Sequence, residues 1–177
     1  MRLGRVFRPL PSGERASFSC ARWVFLRALG LIYLIAFVSL LTQIHGLIGA
    51  EGILPVREWL RAVAGQVGPV RYWLLPTLCW LNASDAMLTG ICVSGGLAAL
   101  LLLLDVAPAA MLALLWALYL SLVTVGQDFL SFQWDHLMLE AGFLAIFLAP
   151  LRLGEATGRT PHPRGSPGRS PGGFCFG

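Results

Sequence analysis

Long apolar stretches separated by short polar links fill most of the chain between residues 23 and 150. The first stretch, residues 23–44, has about 22 residues, which is enough to cross a hydrocarbon core about 30 Å thick. Residues 87–104 and 109–125 follow, and the link between them is so short that they must form an antiparallel hairpin. The pattern therefore predicts membrane-spanning helices.

Small residues interrupt the second of these stretches. Gly90, Gly95 and Gly96 leave one side of the helix without side chains at these positions. In lipid, small side chains let two helix backbones approach closely. The three glycines therefore predict a contact between this helix and a neighbouring one.

A fourth apolar stretch, residues 137–148, is short for a crossing but has a polar lead-in. A helix that begins near Gln133 reaches about 18 residues by Pro150, which is long enough to span with little tilt. All 13 basic residues of the chain are arginines, and they lie between the apolar stretches and at the two ends of the chain, with Arg27 near the start of the first stretch. Four crossings and the positive-inside rule together predict that both chain ends face the cytosol.

The connection between the first two stretches, residues 45–85, has a mixed character. Residues 57–63 combine arginines with apolar residues and predict a short amphipathic helix at the membrane interface. Residues 72–81 form an apolar patch of about ten residues that is too short to span, which favours an interfacial or re-entrant helix. Asn82-Ala83-Ser84 matches the N-glycosylation pattern, although its closeness to the next span disfavours transfer of a glycan.

Composition supports this organisation, since 56% of residues are hydrophobic and 12% are charged, against about 25% charged in soluble domains. We therefore predict an all-α membrane protein with about four transmembrane helices and an interfacial or re-entrant helical segment between spans one and two. The pattern predicts three parts of the chain. They are a cytosolic arginine-rich arm (residues 1–22), a multi-pass transmembrane region (23–152) and a disordered Pro/Gly/Arg-rich tail (153–177). A bundle that ends in such a tail is typical of a truncated product, from splicing or a gene-model error.

Several classes of function are disfavoured by what the chain carries. The arginines flank apolar runs instead of interleaving with exposed aromatic residues, so nucleic acid is not expected as a partner. The four cysteines are scattered without a C-x-x-C pair, which supports neither a disulfide framework nor a zinc site. The chain has no G-x-S-x-G or phosphate-binding loop. We therefore predict no cofactor, no metal and no catalytic residue.

Candidate chemistry concentrates in the polar lead-in of the fourth stretch. Spacings of three, four and seven place Gln133, His136 and Glu140 on one helical face. A carboxylate in hydrocarbon costs on the order of 2.5–3.5 kcal/mol on insertion scales and needs a polar partner or a position at the rim. We interpret the cluster as structural, with hydrogen bonds across the bundle that fix helix register. Asp135 points roughly the other way and, with Trp134, is expected to anchor the helix at the interface.

The alternative interpretation of the same cluster is a proton relay or part of a metal site. A histidine and a glutamate four residues apart on a helix can both bind one metal ion. A third ligand is not apparent in the sequence.

Three blocks of sequence carry a resemblance to a known family. The first is residues 33–55, which include Thr-Gln-Ile-His-Gly-Leu-Ile-Gly-Ala-Glu-Gly-Ile-Leu-Pro, and the second is Pro-Thr-Leu-Cys-Trp at residues 76–80 with Ser84-Asp85. The third runs from residues 116–121 through Phe-Gln-Trp-Asp at 132–135 and Leu-Glu at 139–140 to Gly-Phe-Leu-Ala-Ile-Phe-Leu-Ala-Pro at 142–150. Together these blocks resemble the amino-terminal membrane part of the lipase maturation factor family and cover most of residues 23–152.

The resemblance implies a multi-pass protein of the endoplasmic reticulum that assists the folding and assembly of secreted lipases, much as a chaperone does, and is not an enzyme. Family members continue into further spans and a large lumenal domain, so this chain is expected to lack the client-handling part. The implied partners are membrane lipids, secreted lipases as clients, and other membrane helices or a full-length counterpart. The alternative is a membrane-embedded enzyme related to the membrane domain of the vitamin K-dependent carboxylase.

Overall fold

The structure is a computed structural model that describes residues 12–149, with side chains from residue 20 onward. Helices and turns, with no strand, make up this range. The α-helices are α1 (Ser12–Ile48), α2 (Val56–Val67), α3 (Arg71–Leu74), α4 (Asp85–Leu103), α5 (Pro108–Val125) and α6 (Gln133–Leu148). The start of the predicted arm, residues 1–11, and the predicted tail, residues 153–177, lie outside the described residues.

Three helices in this range are long and apolar enough to cross a membrane. They are α1 over Cys20–Ile48, α4 and α5. This finding confirms the prediction of an all-α membrane protein. Because α6 has only 16 residues, the fourth crossing stays a prediction.

Helix α1 is longer than the apolar stretch that predicted it. It has 37 residues and is therefore about 55 Å long, well beyond a hydrocarbon core of about 30 Å. No proline interrupts the chain between Pro11 and Pro55, so nothing breaks the helix where the apolar stretch begins. The second half of the predicted arm, residues 12–22, is consequently helical.

The spanning helices pack in the order in which they occur. Helix α1 packs on α4, α4 on α5 and α5 on α6, whereas α1 touches α6 only sparsely. At one end of the first pair, Arg27 donates a hydrogen bond to the carbonyl of Leu102 at 2.6 Å. At the other end, the Nε2 atom of His45 lies 2.9 Å from the Thr89 hydroxyl. These two contacts show that α1 and α4 are antiparallel.

The connection between α1 and α4 folds as short helical pieces. In α2, Val56 and Leu60 are buried while Arg57 and Arg61 are exposed, which confirms the predicted amphipathic helix. Residues 68–81 form a single turn of α-helix and two 3-10 turns, none of them long enough to span. The piece leaves Trp73 89% exposed, as expected of a segment that meets a membrane interface.

Close packing of α4 on α1 depends on Gly95. The fully buried ring of Phe37 in α1 occupies the space that a Cβ atom at position 95 would need. At Gly90 and Gly96 an added Cβ would meet nothing within 4 Å. The predicted glycine contact is therefore made by Gly95, and the other two glycines face away from neighbouring helices.

Replacing Gly95 with alanine should destabilise the bundle. The added methyl group overlaps the Phe37 ring, and such overpacking costs about 1–3 kcal/mol. Gly96→Ala is the matched control, because it adds the same group to open space and gains up to about 1 kcal/mol of helix propensity. Thermal unfolding of the purified variants in detergent checks both changes. Equal melting temperatures for the two variants would contradict the assignment.

The predicted glycosylation triplet lies in the turn directly before α4. Asn82 is exposed there. The Ser84 hydroxyl accepts a hydrogen bond from the backbone N–H of Met87 at 3.3 Å and so caps the helix. The acceptor triplet is therefore fixed at the first turn of a spanning helix.

We expect Asn82 to carry no glycan in cells, because a folded cap so close to the membrane restricts access to the triplet. Asn82→Gln should then leave electrophoretic mobility unchanged, and glycosidase treatment of the wild-type chain should cause no shift. A mobility change that disappears in the variant would show that Asn82 is modified.

Candidate functional site at the start of α6

The start of α6 places one carboxylate inside the bundle. Asp135 is 5% exposed, and its Oδ1 atom accepts a hydrogen bond from the Tyr119 hydroxyl of α5 at 2.5 Å. The Oδ2 atom is also buried and has no hydrogen-bond partner within the described residues. Because a buried carboxylate is stable only when it is hydrogen-bonded or paired, the Tyr119 contact fixes where α6 sits on α5.

Aromatic side chains from α1 hold Tyr119 in place. The Tyr119 ring meets Tyr33 and Phe37 edge-on, with ring centroids 5.8 Å and 5.7 Å apart. The Tyr33 hydroxyl donates a hydrogen bond to the carbonyl of Met138 at 3.0 Å. It lies so close to Gly142 that a Cβ atom there would overlap it. Helices α1, α5 and α6 are thereby joined at one point.

The structure places the other members of the predicted polar cluster outside the bundle. Gln133, Trp134, His136 and Glu140 are all exposed. The Nδ1 atom of His136 lies 3.1 Å from the carbonyl of Phe132 at the start of its own helix. The expected roles are therefore corrected. Asp135, predicted with Trp134 as an interface anchor, makes the hydrogen bond across the bundle, whereas Gln133, His136 and Glu140, which were predicted to do so, do not make one within residues 20–149.

The arrangement offers little for catalysis or metal binding. Among the described residues, no three His, Cys, Asp or Glu side chains are grouped closely enough to hold a metal ion. His136 and Glu140 therefore lack a third ligand in this part of the chain. Outside the spans, burial raises the pKa of the Cys79 thiol, and the hydrogen bond with Thr77 opposes this only in part. A protonated, buried thiol is a poor nucleophile.

A groove with a volume of about 760 Å³ runs between α1 and α6. We call it the α1–α6 groove. It is lined by one side of α1 between residues 29 and 47, by the connection between α5 and α6, and by α6 between residues 134 and 141. Asp135 and Tyr119 line it together with Ser39 and Gln43. The remaining lining is apolar.

The three blocks of family resemblance meet at the same end of the bundle. The Thr77 hydroxyl donates to the carbonyl of Ser121 at 3.0 Å, and the backbone N–H of Leu78 donates to the Ser121 hydroxyl at 3.2 Å. The Asp85 carboxylate accepts a hydrogen bond from the backbone N–H of Ala50 at 2.8 Å. Residues far apart in sequence thus form one structural unit.

Comparison of the sequence with known families gives a match over the same part of the chain. The model of the lipase maturation factor transmembrane domain matches residues 20–166. The chain belongs to the lipase maturation factor family. The match covers the three helices of spanning length from residue 20 onward and the α1–α6 groove, so this part of the chain is similar to the family's transmembrane domain.

Curated relatives of this lipase maturation factor family member match along most of its length. Lipase maturation factor 2 from Homo sapiens is 45% identical over 151 residues, which cover 81% of this chain and 21% of the relative. Lipase maturation factor 1 from Bos taurus is 39% identical over 173 residues, which cover 93% of this chain and 30% of the relative. The chain therefore spans between a fifth and a third of the length of these relatives. No solved structure matches it.

Sequence reasoning missed the aromatic half of the site. Tyr33, Phe37 and Tyr119 lie in apolar stretches where they look like ordinary parts of a span. A tyrosine that is buried usually hydrogen-bonds through its hydroxyl. Two tyrosines within predicted spans were therefore the available signal that a polar partner, here Asp135 and the Met138 carbonyl, lies inside the bundle.

Removing the Tyr119 hydroxyl should destabilise the fold. In Tyr119→Phe the Asp135 carboxylate loses its donor, and an unsatisfied buried group costs about 1–3 kcal/mol. Replacing both partners, in Tyr119→Phe with Asp135→Leu, should recover part of that loss because no buried polar group is then left. Thermal unfolding in detergent measures both variants, with Tyr72→Phe at an exposed site as the control. A single variant as stable as the wild type would contradict a structural role for the pair.

Proposed function

We propose that this lipase maturation factor family member works in the membrane of the endoplasmic reticulum, in the maturation of secreted lipases. The single observation that carries the proposal is the match of the family's transmembrane domain to residues 20–166. The human and bovine relatives that match are named as lipase maturation factors. The membrane location is supported by three apolar helices of spanning length.

The proposed role is non-enzymatic. The one buried carboxylate among the described residues, Asp135, hydrogen-bonds Tyr119 and holds α6 on α5. We infer that the chain supplies the membrane part of a maturation factor. In this proposal, the client is handled by the regions of the relatives beyond the matched fifth to third of their length.

The proposed topology has four crossings, with both chain ends cytosolic. The antiparallel order of α1, α4 and α5 puts α2 and the start of α6 at the same end of the bundle. We assign that end, with residues 45–85 and 127–135, to the lumen. The Arg27 end, where α4 turns into α5, is then the cytosolic one.

A protease test in sealed microsomes checks this topology. Tags at the amino and carboxy ends should both be digested without detergent, because four crossings return the chain to the cytosol. A tag inserted after Gly65, at an exposed position in α2, should be protected until detergent is added. Protection of the carboxy-terminal tag would contradict the fourth crossing.

A split-protein experiment tests the proposed function. Cells without a lipase maturation factor would express a secreted lipase with this chain, with the remaining part of the bovine factor 1, or with both. We expect secreted lipase activity only from the pair, because the membrane part and the client-handling part are each needed. Full-length bovine factor 1 is the positive control. If it restores activity and the pair does not, the proposal is wrong.

A further inference from the structure

The connection that leads into α4 leaves many large apolar side chains uncovered. We call residues 70–81 the 70–81 segment. Its exposed apolar and aromatic residues are Val70, Tyr72, Trp73, Leu74, Leu78 and Leu81. Single exposed apolar residues are ordinary, but a concentration of them in one short segment marks a surface that meets another molecule or a membrane.

Two hydrogen bonds to α5 fix the depth of this segment. The Thr77 hydroxyl donates to the carbonyl of Ser121 at 3.0 Å, and the backbone N–H of Leu78 donates to the Ser121 hydroxyl at 3.2 Å. Helix α5 ends at Val125, so Ser121 lies about 6 Å inside that end. The 18 residues of α5 rise about 27 Å, close to the hydrocarbon thickness of about 30 Å. The 70–81 segment therefore lies at the border between headgroups and hydrocarbon.

The Arg71 guanidinium lies in a corner formed by two aromatic rings. Its Cζ atom is 4.8 Å from the centroid of the Tyr72 ring and 5.1 Å from that of the Trp80 ring, and the two centroids are 5.7 Å apart. These distances form a triangle in which the rings subtend about 70° at Cζ, so the opposite side of the guanidinium is clear of both rings. Trp80 is itself fixed, since its Nε1 atom donates to the carbonyl of Leu75 at 2.9 Å.

One nitrogen of this guanidinium is available to a ligand. The Nε atom is buried and cannot be reached, and the Nη2 atom donates to the Tyr72 hydroxyl at 2.8 Å. The Nη1 atom is not buried and makes no hydrogen bond within the described residues. The ion pair found within residues 20–149 joins Arg27 and Asp105, so Arg71 has no carboxylate partner in this part of the chain.

The depth and the charge of this site favour a phospholipid as the partner. A positive charge at the edge of the hydrocarbon is costly unless it reaches the headgroups. Phosphate groups lie in that layer, and a guanidinium is well suited to bind them. A free phosphate ion would satisfy Arg71 but would leave the exposed apolar side chains uncovered. A phospholipid supplies both the anion and the acyl chains.

We propose that the 70–81 segment binds a phospholipid, whose phosphate accepts a hydrogen bond from Arg71 Nη1 while its acyl chains pack against Trp73 and Leu81. The Tyr72 and Trp80 rings hold the guanidinium in the orientation that presents Nη1. This assigns a lipid headgroup site to the connection between α1 and α4. It depends neither on the lipase-maturation role nor on which end of the bundle faces the lumen.

Photolabelling of the purified full chain in an uncharged detergent tests the assignment. The probe is phosphatidylcholine with a diazirine in one acyl chain and an alkyne for detection, and the comparison is diacylglycerol with the same acyl chains. The measured quantity is the label in residues 70–81 relative to the label in α4 and α5, which corrects for unequal partitioning of the probes. We expect this ratio to be about fivefold higher for phosphatidylcholine, the size of one charged contact at a partly exposed site. Phosphatidylglycerol, which shares the phosphate, should label residues 70–81 at least as strongly as phosphatidylcholine.

Two substitutions make the test specific to Arg71. Arg71→Gln removes the guanidinium, so the ratio for phosphatidylcholine should fall to the level of diacylglycerol. Arg61→Gln is the matched control, because it removes the same charge from an exposed position on the neighbouring helix α2, and the ratio should stay at the wild-type value. Melting temperatures of both variants separate loss of the site from loss of the fold. If Arg71→Gln unfolds, the comparison of the probes on the wild-type chain decides the matter.

Several results would overturn the proposal. They are equal ratios for phosphatidylcholine and diacylglycerol on the wild-type chain, a wild-type ratio in folded Arg71→Gln, and an equal loss in Arg61→Gln. Loss of the label in residues 70–81 when inorganic phosphate is added in excess would show that a soluble anion is the ligand. Absence of lipid label there, together with cross-links between two copies of the chain through residues 70–81, would show that a protein surface covers the segment.

Discussion

The hydrogen bond between Tyr119 and Asp135 is the constraint on which the arrangement of the described helices depends. In lipid, apolar side chains gain little from leaving a medium that is itself apolar, so helix association relies on packing and polar contacts. A buried carboxylate restricts α6 to positions in which a donor reaches it. Tyr33 adds a second tie, from α1 to the Met138 carbonyl, and Gly142 leaves room for that hydroxyl.

A second polar contact holds the opposite end of the bundle. Arg27 donates to the Leu102 carbonyl at the end of α4, and its guanidinium lies 3.6 Å from the Asp105 carboxylate. The link from α4 to α5 is tight, with left-handed backbone angles at Asp105 (φ 66°) and Ala107 (φ 42°). Such angles are unfavourable for residues other than glycine, so the Arg27 contacts stabilise a turn that local preferences alone would not select.

The α1–α6 groove results from the way these contacts order the helices. Helix α6 packs along α5, and α1 packs along α4, so α1 and α6 are neighbours with few contacts, among them the hydrogen bond from Tyr33 to the Met138 carbonyl. The space left between them is lined mostly by apolar residues, together with Tyr119, Asp135, Ser39 and Gln43. The same hydrogen bond holds α6 on α5 and leaves the Oδ2 atom of Asp135 as a buried acceptor without a partner within the described residues.

The sequence by itself determined the helical membrane class, the amphipathic helix at Val56–Val67 and the family resemblance, because these follow from hydropathy, period and local order. It also indicated that the side chains of Asp135 and Glu140 lie about 140° apart around the axis of a helix with 3.6 residues per turn. It could not tell which of the two carboxylates faces the bundle. The side of α6 that faces the bundle depended on where the Tyr119 hydroxyl and Gly142 lie. In the same way, only the position of Phe37 showed that Gly95, and not Gly96, makes the contact with α1. Tertiary structure decided these points because each contact needs a partner from another helix. Helical periodicity orders residues around one axis but does not indicate which side of the helix meets a neighbour.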